Sequence, residues 1–176
     1  MRNIHYSKKN NSLFLVTTIV VVIALFVVFI TNFKKNTTTD EEIDKIEATE
    51  LKEGESLVIS KADITKDASF YAVKVNDTVM EVIAVKDSKQ NIRTAFNTCQ
   101  ICYGSGRGYY KQQKEKLKCQ NCGNLFTMDQ VEIETGGCNP WPISRDDKIE
   151  NDDSIEISYD FLMASQDIFA NWRNNY

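Results

Sequence analysis

The stretch Ser69-Phe70-Tyr71-Ala72-Val73-Lys74-Val75-Asn76-Asp77-Thr78-Val79-Met80-Glu81-Val82-Ile83-Ala84-Val85-Lys86 decides the fold. Two runs rich in Val, Ile and Tyr, Ser69 to Val75 and Val79 to Lys86, alternate partially in polarity and flank Asn76-Asp77-Thr78. β-Branched and aromatic side chains suit a pleated, half-buried surface, and the short polar link has turn chemistry, so an antiparallel hairpin is expected. Leu57 to Ser60 reads as a strand before it, and Ile92 to Phe96 as a third strand after it, delivering Cys99 at its end.

Toward the C-terminus, Ser154 to Ser158 is strand-like, and Asp160 to Trp172 has the spacing of an amphipathic helix. Leu162, Phe169 and Trp172, with Phe161 and Ile168, recur on one side, and Asp160 suits the N-cap. That helix is expected to pack on the sheet, with partner binding as the other reading of its apolar face. The fold class is therefore mainly β (α+β): an antiparallel sheet carrying a cysteine-knuckle metal site, with a C-terminal amphipathic helix.

The chain begins differently. From Leu13 to Ile30 only Thr17 and Thr18 interrupt an apolar run that continues weakly to Phe33. At about 1.5 Å per residue such a run spans roughly 30 Å, the thickness of a hydrocarbon core, so it reads as an N-terminal transmembrane helix. A cleaved signal peptide is the competing reading, although Thr31-Asn32-Phe33-Lys34-Lys35-Asn36 offers no small-x-small site. Either reading exports the remainder of the chain. Arg2, Lys8 and Lys9 before the run, against Lys34 and Lys35 after it, place the N-terminus in the cytoplasm.

The expected organisation is a short cytoplasmic tail at 1–12, a membrane span at 13–33, a polar juxtamembrane linker at 34–55 and an extracytoplasmic domain at 56–176. Of 21 basic residues, 16 lie beyond Lys35 together with all 25 acidic ones, which leaves that part at about −9. A nucleic-acid partner would want the opposite sign. The only histidine, His5, precedes the span, so the exported part can build neither a His-based metal site nor a Cys-His or Ser-His-Asp nucleophile.

The residues that carry chemistry are the five cysteines. Cys99-Gln100-Ile101-Cys102 and Cys119-Gln120-Asn121-Cys122 are C-x-x-C knuckles, and Cys138 lies in Gly136-Gly137-Cys138-Asn139-Pro140. Thiolates are soft ligands, and two such knuckles can set four sulfurs at the corners of a tetrahedron, as zinc or sulfur-ligated iron requires. A closed zinc ribbon and a pair of disulfides are the plainer alternatives, but a pure disulfide framework leaves one cysteine over. Cys138 itself reads as an alternative ligand, a redox thiol or a buried cysteine.

Gly104, Gly106 and Gly108 lie between the knuckles without a G-x-x-x-x-G-K-[ST] pattern, so they read as a tight turn beside the metal rather than a phosphate loop. Tyr109, Tyr110 and Trp141 flank the cysteines and can either shield a centre from water or simply pack.

Taken together, Ala95-Phe96-Asn97-Thr98-Cys99-Gln100-Ile101-Cys102, Gly108-Tyr109-Tyr110, Cys119-Gln120-Asn121-Cys122-Gly123 and Gly136-Gly137-Cys138-Asn139-Pro140 resemble the FtrD-like membrane iron-sulfur protein family. The likeness runs from about Glu55 to Trp172. It implies an extracytoplasmic, membrane-attached domain holding an iron-sulfur cluster or iron, with Cys99, Cys102, Cys119 and Cys122 as metal ligands and Cys138 in the family's fifth position. It also implies electron transfer linked to iron uptake, with an iron permease or another membrane redox protein as partner besides the lipid bilayer. Many relatives carry a larger multi-spanning portion, whereas one span is read here. Zinc in the same cysteines, ordering a surface for another membrane protein, is the alternative.

Overall fold

The expected hairpin is present in the computed structural model, which describes residues 47–173. The anticipated tail at 1–12 and membrane span at 13–33 lie outside the described residues. Among the described residues, no helix is long and apolar enough to cross a membrane.

In chain order the first strands are β1 (Thr49–Leu51), β2 (Ser56–Ser60), β3 (Ser69–Val75), β4 (Thr78–Lys86) and β5 (Ile92–Cys99). A charged hairpin comes next, β6 (Tyr110–Gln113) and β7 (Lys116–Cys119), and then β8 (Leu125–Thr127). The chain continues through β9 (Pro140–Pro142), β10 (Ile149–Glu150) and β11 (Ser154–Ser158) to a short helix, α1 (Tyr159–Ala164). Three sheets result, with strand orders β1-β3-β4-β5-β9, β10-β11-β2 and β6-β7-β8.

The five-stranded sheet lies between the other two, and β4 shows why. Met80, Val82 and Ala84 on one face join a core with Ile59, Ile155, Ile157, Leu162 and Phe169. Ile83 and Val85 on the other face join a second core with Ala95, Cys99, Tyr110, Leu117 and Phe126. A strand buried on both faces loses the polar-apolar alternation of a half-exposed one, which explains the nearly continuous apolar run Val82-Ile83-Ala84-Val85. The same parity holds in β5, where Phe96 faces the first core while Ala95 and Cys99 face the second. A one-residue slip would turn Cys99 away from its partners.

β3 and β4 pair from Ser69↔Ala84 to Val75↔Thr78, and Asn76 turns the hairpin at φ 52°. β5 pairs antiparallel with β4 and runs three residues past the expected Phe96, so that Cys99, expected at the end of this strand, is its last residue. The sheet is not wholly antiparallel, because β1, within the stretch expected to be linker, pairs parallel with β3. β9 contains two prolines and lies at the sheet edge, where a missing N–H costs no ladder bond.

The expected helix from Asp160 to Trp172 is broken. α1 ends at Ala164, and a separate 3-10 turn spans Gln166–Phe169. Ser165 makes the break: its hydroxyl donates to the Phe161 carbonyl at 2.9 Å, satisfying a helical acceptor from the side. The cap is Ser158 rather than Asp160, its oxygen accepting from the Phe161 N–H at 3.3 Å. The apolar side chains behave as their spacing suggests, with Leu162, Phe169 and Trp172 all buried.

The turn between β4 and β5 closes around Asp87. One carboxylate oxygen accepts from the N–H groups of Lys89 and Asn91, and the other from the Asn91 amide and the Arg93 guanidinium at 2.8 Å. Burial alone would raise this acid; the hydrogen bonds of Asn91, Arg93 and Lys89 outweigh it and hold it down at about 2. Its stabilising contribution is complete above the unfolded value of 3.8 and disappears as pH falls toward about 2. Asp87→Ala should therefore cost about 1–3 kcal/mol in urea unfolding at pH 7. The gap to the parent chain should close when the titration is repeated between pH 4 and pH 2.

Candidate metal centre

Five thiols meet where β5, the β6–β7 hairpin and the chain entering β9 converge. Cys99 and Cys119 end β5 and β7 and are fully buried; Cys102 and Cys138 are half-buried and Cys122 is exposed. The sulfurs of Cys99, Cys102, Cys119 and Cys138 all lie within 4.8 Å of one another. Cys122 is not in that quartet, yet its sulfur is 2.8 Å from that of Cys138. Cys138 also stands 3.2 Å from Cys99 and 3.9 Å from Cys102.

Each knuckle is shaped by its backbone. In the first, the Cys102 N–H donates to the Cys99 sulfur at 3.2 Å, which stabilises negative charge there. The chain then turns through Tyr103–Ser105, with the Ser105 hydroxyl donating to the Cys102 carbonyl at 2.7 Å. In the second, the Gly123 N–H donates to the Cys119 carbonyl at 2.9 Å, and Gly123 adopts φ 77°, a conformation open to glycine at little cost.

Gly108, Tyr109 and Tyr110 join the two knuckles. The Cys99 N–H donates to the Gly108 carbonyl at 2.6 Å, and the Gln120 N–H to the Tyr109 carbonyl at 2.8 Å. Tyr110 faces Cys119 across the hairpin. The buried Asn97 side chain accepts from the Tyr110 N–H at 2.7 Å and donates to the Tyr110 carbonyl at 3.2 Å, and it also donates to Glu81. This fixes the second knuckle against the strand that carries the first.

Cys138 is brought in by register and by Gln100. Pro140, two residues on, pairs with Cys99. Gln100, inside the first knuckle, donates its N–H to the Asn139 carbonyl at 3.0 Å and its amide to the Pro140 carbonyl at 3.2 Å. Its amide oxygen accepts from the Gly136 N–H at 2.9 Å. The Tyr110 hydroxyl donates to the Cys138 carbonyl at 2.8 Å. Farther back, Glu132 binds the Thr94 N–H and the buried Lys148 ammonium, each at 2.8 Å, tying the preceding loop to β5.

All five cysteines singled out in the sequence thus come together. Among the flanking aromatics, Tyr110 packs into the cysteine-bearing core edge-on to Phe126, whereas Tyr109 and Trp141 pack against the opposite core. Gln100, Asn97 and Glu132 organise the centre, and the sequence reading gave none of them a role. Only the amides within the cysteine motifs hinted at two of them.

The thiols cannot share charge evenly at this distance. The Cys119 thiol holds Cys99 well below the usual thiol range and is itself pushed up in return; burial raises both, and Tyr110 with the N–H groups of Cys102 and Ile101 favours the Cys99 thiolate. Burial pushes Cys102 up, and it also raises Cys138, aided by the sulfurs of Cys122 and Cys99. Burial likewise holds the Tyr110 hydroxyl in its protonated, donating form, as does its hydrogen bond with Cys99. More thiolates can accumulate only if a cation neutralises them, so the donor set suits a thiophilic metal.

A β domain that draws sulfur alone from three chain segments onto one point defines a protein with a cysteine cluster capable of binding a metal. The family model for the membrane iron-sulfur containing protein FtrD-like matches residues 64–169, and the chain belongs to that family. The resemblance carried by the cysteine motifs is thereby borne out. Searches of curated proteins and of solved structures found no match.

Gly108 is where this arrangement is tightest. A Cβ there would stand 2.3 Å from the Cys102 carbonyl oxygen and 2.8 Å from the Tyr103 nitrogen, all backbone, whereas one on Gly104 would meet nothing within 4 Å. Gly108→Ala should destabilise by about 1–3 kcal/mol in urea unfolding and weaken metal retention. Gly104→Ala should stay within about 0.5 kcal/mol of the parent chain.

Proposed function

We propose that this chain is a membrane-anchored, extracytoplasmic electron-transfer protein whose cysteine cluster holds an iron or iron-sulfur centre. The observation that carries the reading is the convergence of five sulfurs in a chain of a membrane iron-sulfur family. A cysteine-ligated iron centre, when bound, supplies a one-electron couple whose potential responds to hydrogen bonds at sulfur and to solvent access.

The residues around the sulfurs suit that task. The N–H of Cys102 stabilises charge on Cys99, the buried Tyr110 ring excludes water, and the backbone ties of Gln100 and Asn97 keep the ligands in place. No general acid or base is required, which agrees with a binding and electron-carrying role rather than an enzymatic one. The apolar run 13–33 supports a single-pass anchor with the N-terminus in the cytoplasm. An iron permease or another membrane redox protein is the proposed partner, in iron uptake.

A second reading has one observation in its favour. A tetrahedral ion with bonds of about 2.3 Å sets its sulfurs about 3.8 Å apart. The tight quartet suits a single ion, and zinc would fill it as a structural module that presents an interaction surface.

Anaerobic purification of the full chain in detergent, followed by metal analysis and a visible spectrum, separates the two. The iron reading expects bound iron and visible absorption that dithionite bleaches. Cys99→Ser and Cys119→Ser should each remove metal and colour together. One equivalent of zinc in a colourless, redox-silent protein would sink the electron-transfer reading.

A further inference from the structure

We propose that Cys99, Cys102, Cys119 and Cys138 are the resting ligands of the ion, and that Cys122 is an exchangeable fifth sulfur able to take the place of Cys138. The inference rests on the cysteines binding metal and is independent of which metal that is. It departs from the arrangement in which the two knuckles alone supply the four ligands.

Three observations carry it. The sulfurs of Cys99, Cys102, Cys119 and Cys138 are mutually within 4.8 Å, and four are enough to close a tetrahedral shell. The position of Cys138 is built: Gln100 holds Gly136, Asn139 and Pro140, and Tyr110 holds the Cys138 carbonyl. Cys122 is the exposed member of the five, yet its sulfur lies 2.8 Å from that of Cys138. A knuckle sulfur that is spare, solvent-facing and in contact with a ligand is placed to compete for that ligand's position.

The exchange needs no oxidant. The bond from metal to Cys138 breaks as the bond from metal to Cys122 forms, and the proton leaving the Cys122 thiol is taken up by the Cys138 thiolate. The charge of the site is unchanged. Because Cys122 is exposed, it is also the sulfur that an ion arriving from solvent or from a donor protein meets first.

The full chain in detergent, reduced and loaded anaerobically with one equivalent of Co²⁺ or Zn²⁺, can be treated briefly with iodoacetamide and mapped by peptide mass. Cys122 should be alkylated at least about tenfold faster than the other four, with the ion retained, since access and thiolate availability set the rate. Cys122→Ser should bind the ion within about threefold of the parent affinity, while Cys138→Ser should bind more weakly and render Cys122 resistant to alkylation. The double variant should lose the site. Preferential alkylation of Cys138, protection of all five thiols, or release of the ion on Cys122 modification would each overturn the assignment while leaving metal binding intact. Failure of the unmodified chain to take up either ion would overturn both. Should Cys138→Ser fail to fold, the alkylation map of the unmodified chain still decides.

Discussion

The buried side chain of Asn97 is the interaction on which the rest of the centre depends. It projects from β5 onto the face that also carries Cys99, and it saturates both backbone groups of Tyr110, the first residue of the opposing hairpin. An amide can do this because it offers a donor and an acceptor at one end of a short, stiff side chain. Its backbone carbonyl accepts from the Trp172 indole at 2.7 Å, so the C-terminal turn closes on the same residue. Remove the amide, and the two buried peptide groups of Tyr110 lose this partner at once, each at a desolvation cost of about 1–3 kcal/mol, while the Glu81 carboxylate is left with Arg173 at 3.3 Å.

The β framework was largely legible in the sequence, and the reason is local. β3, β4 and β11 carry enough β-branched residues, between turn residues of the right kind, to announce themselves. The β6–β7 hairpin was not legible, because its outward-facing lysines and glutamines obscure an alternation in which Tyr110 and Leu117 supply the buried side. Periodicity correctly placed Leu162, Phe169 and Trp172 in the core but could not show that Ser165 interrupts the helix between them, since a hydroxyl bonding backward leaves no trace in spacing.

The centre was legible to a different degree. Cysteine spacing identified every sulfur, as the chemistry of ligation demands a residue type and not a shape. It could not disclose how the five are arranged, because Cys138 reaches the knuckles through the pairing of β9 with β5 and through Gln100, both of them tertiary facts. Spacing counts ligands along the chain, and the register of an edge strand decides how closely they meet.

That edge strand has a consequence for the life of the protein before it is finished. The sulfurs arrive from three segments, and the last arrives only when two prolines settle beside β5. Where that pairing is missing, the two C-x-x-C pairs stand without Cys138, and oxidising surroundings can turn each of them into a local disulfide. A full set of five sulfurs therefore exists only where the edge strand has found its register. The complete cluster is thus a readout of the fold, since it requires the β6–β7 hairpin, the Gln100 contacts and the proline-bearing edge strand together.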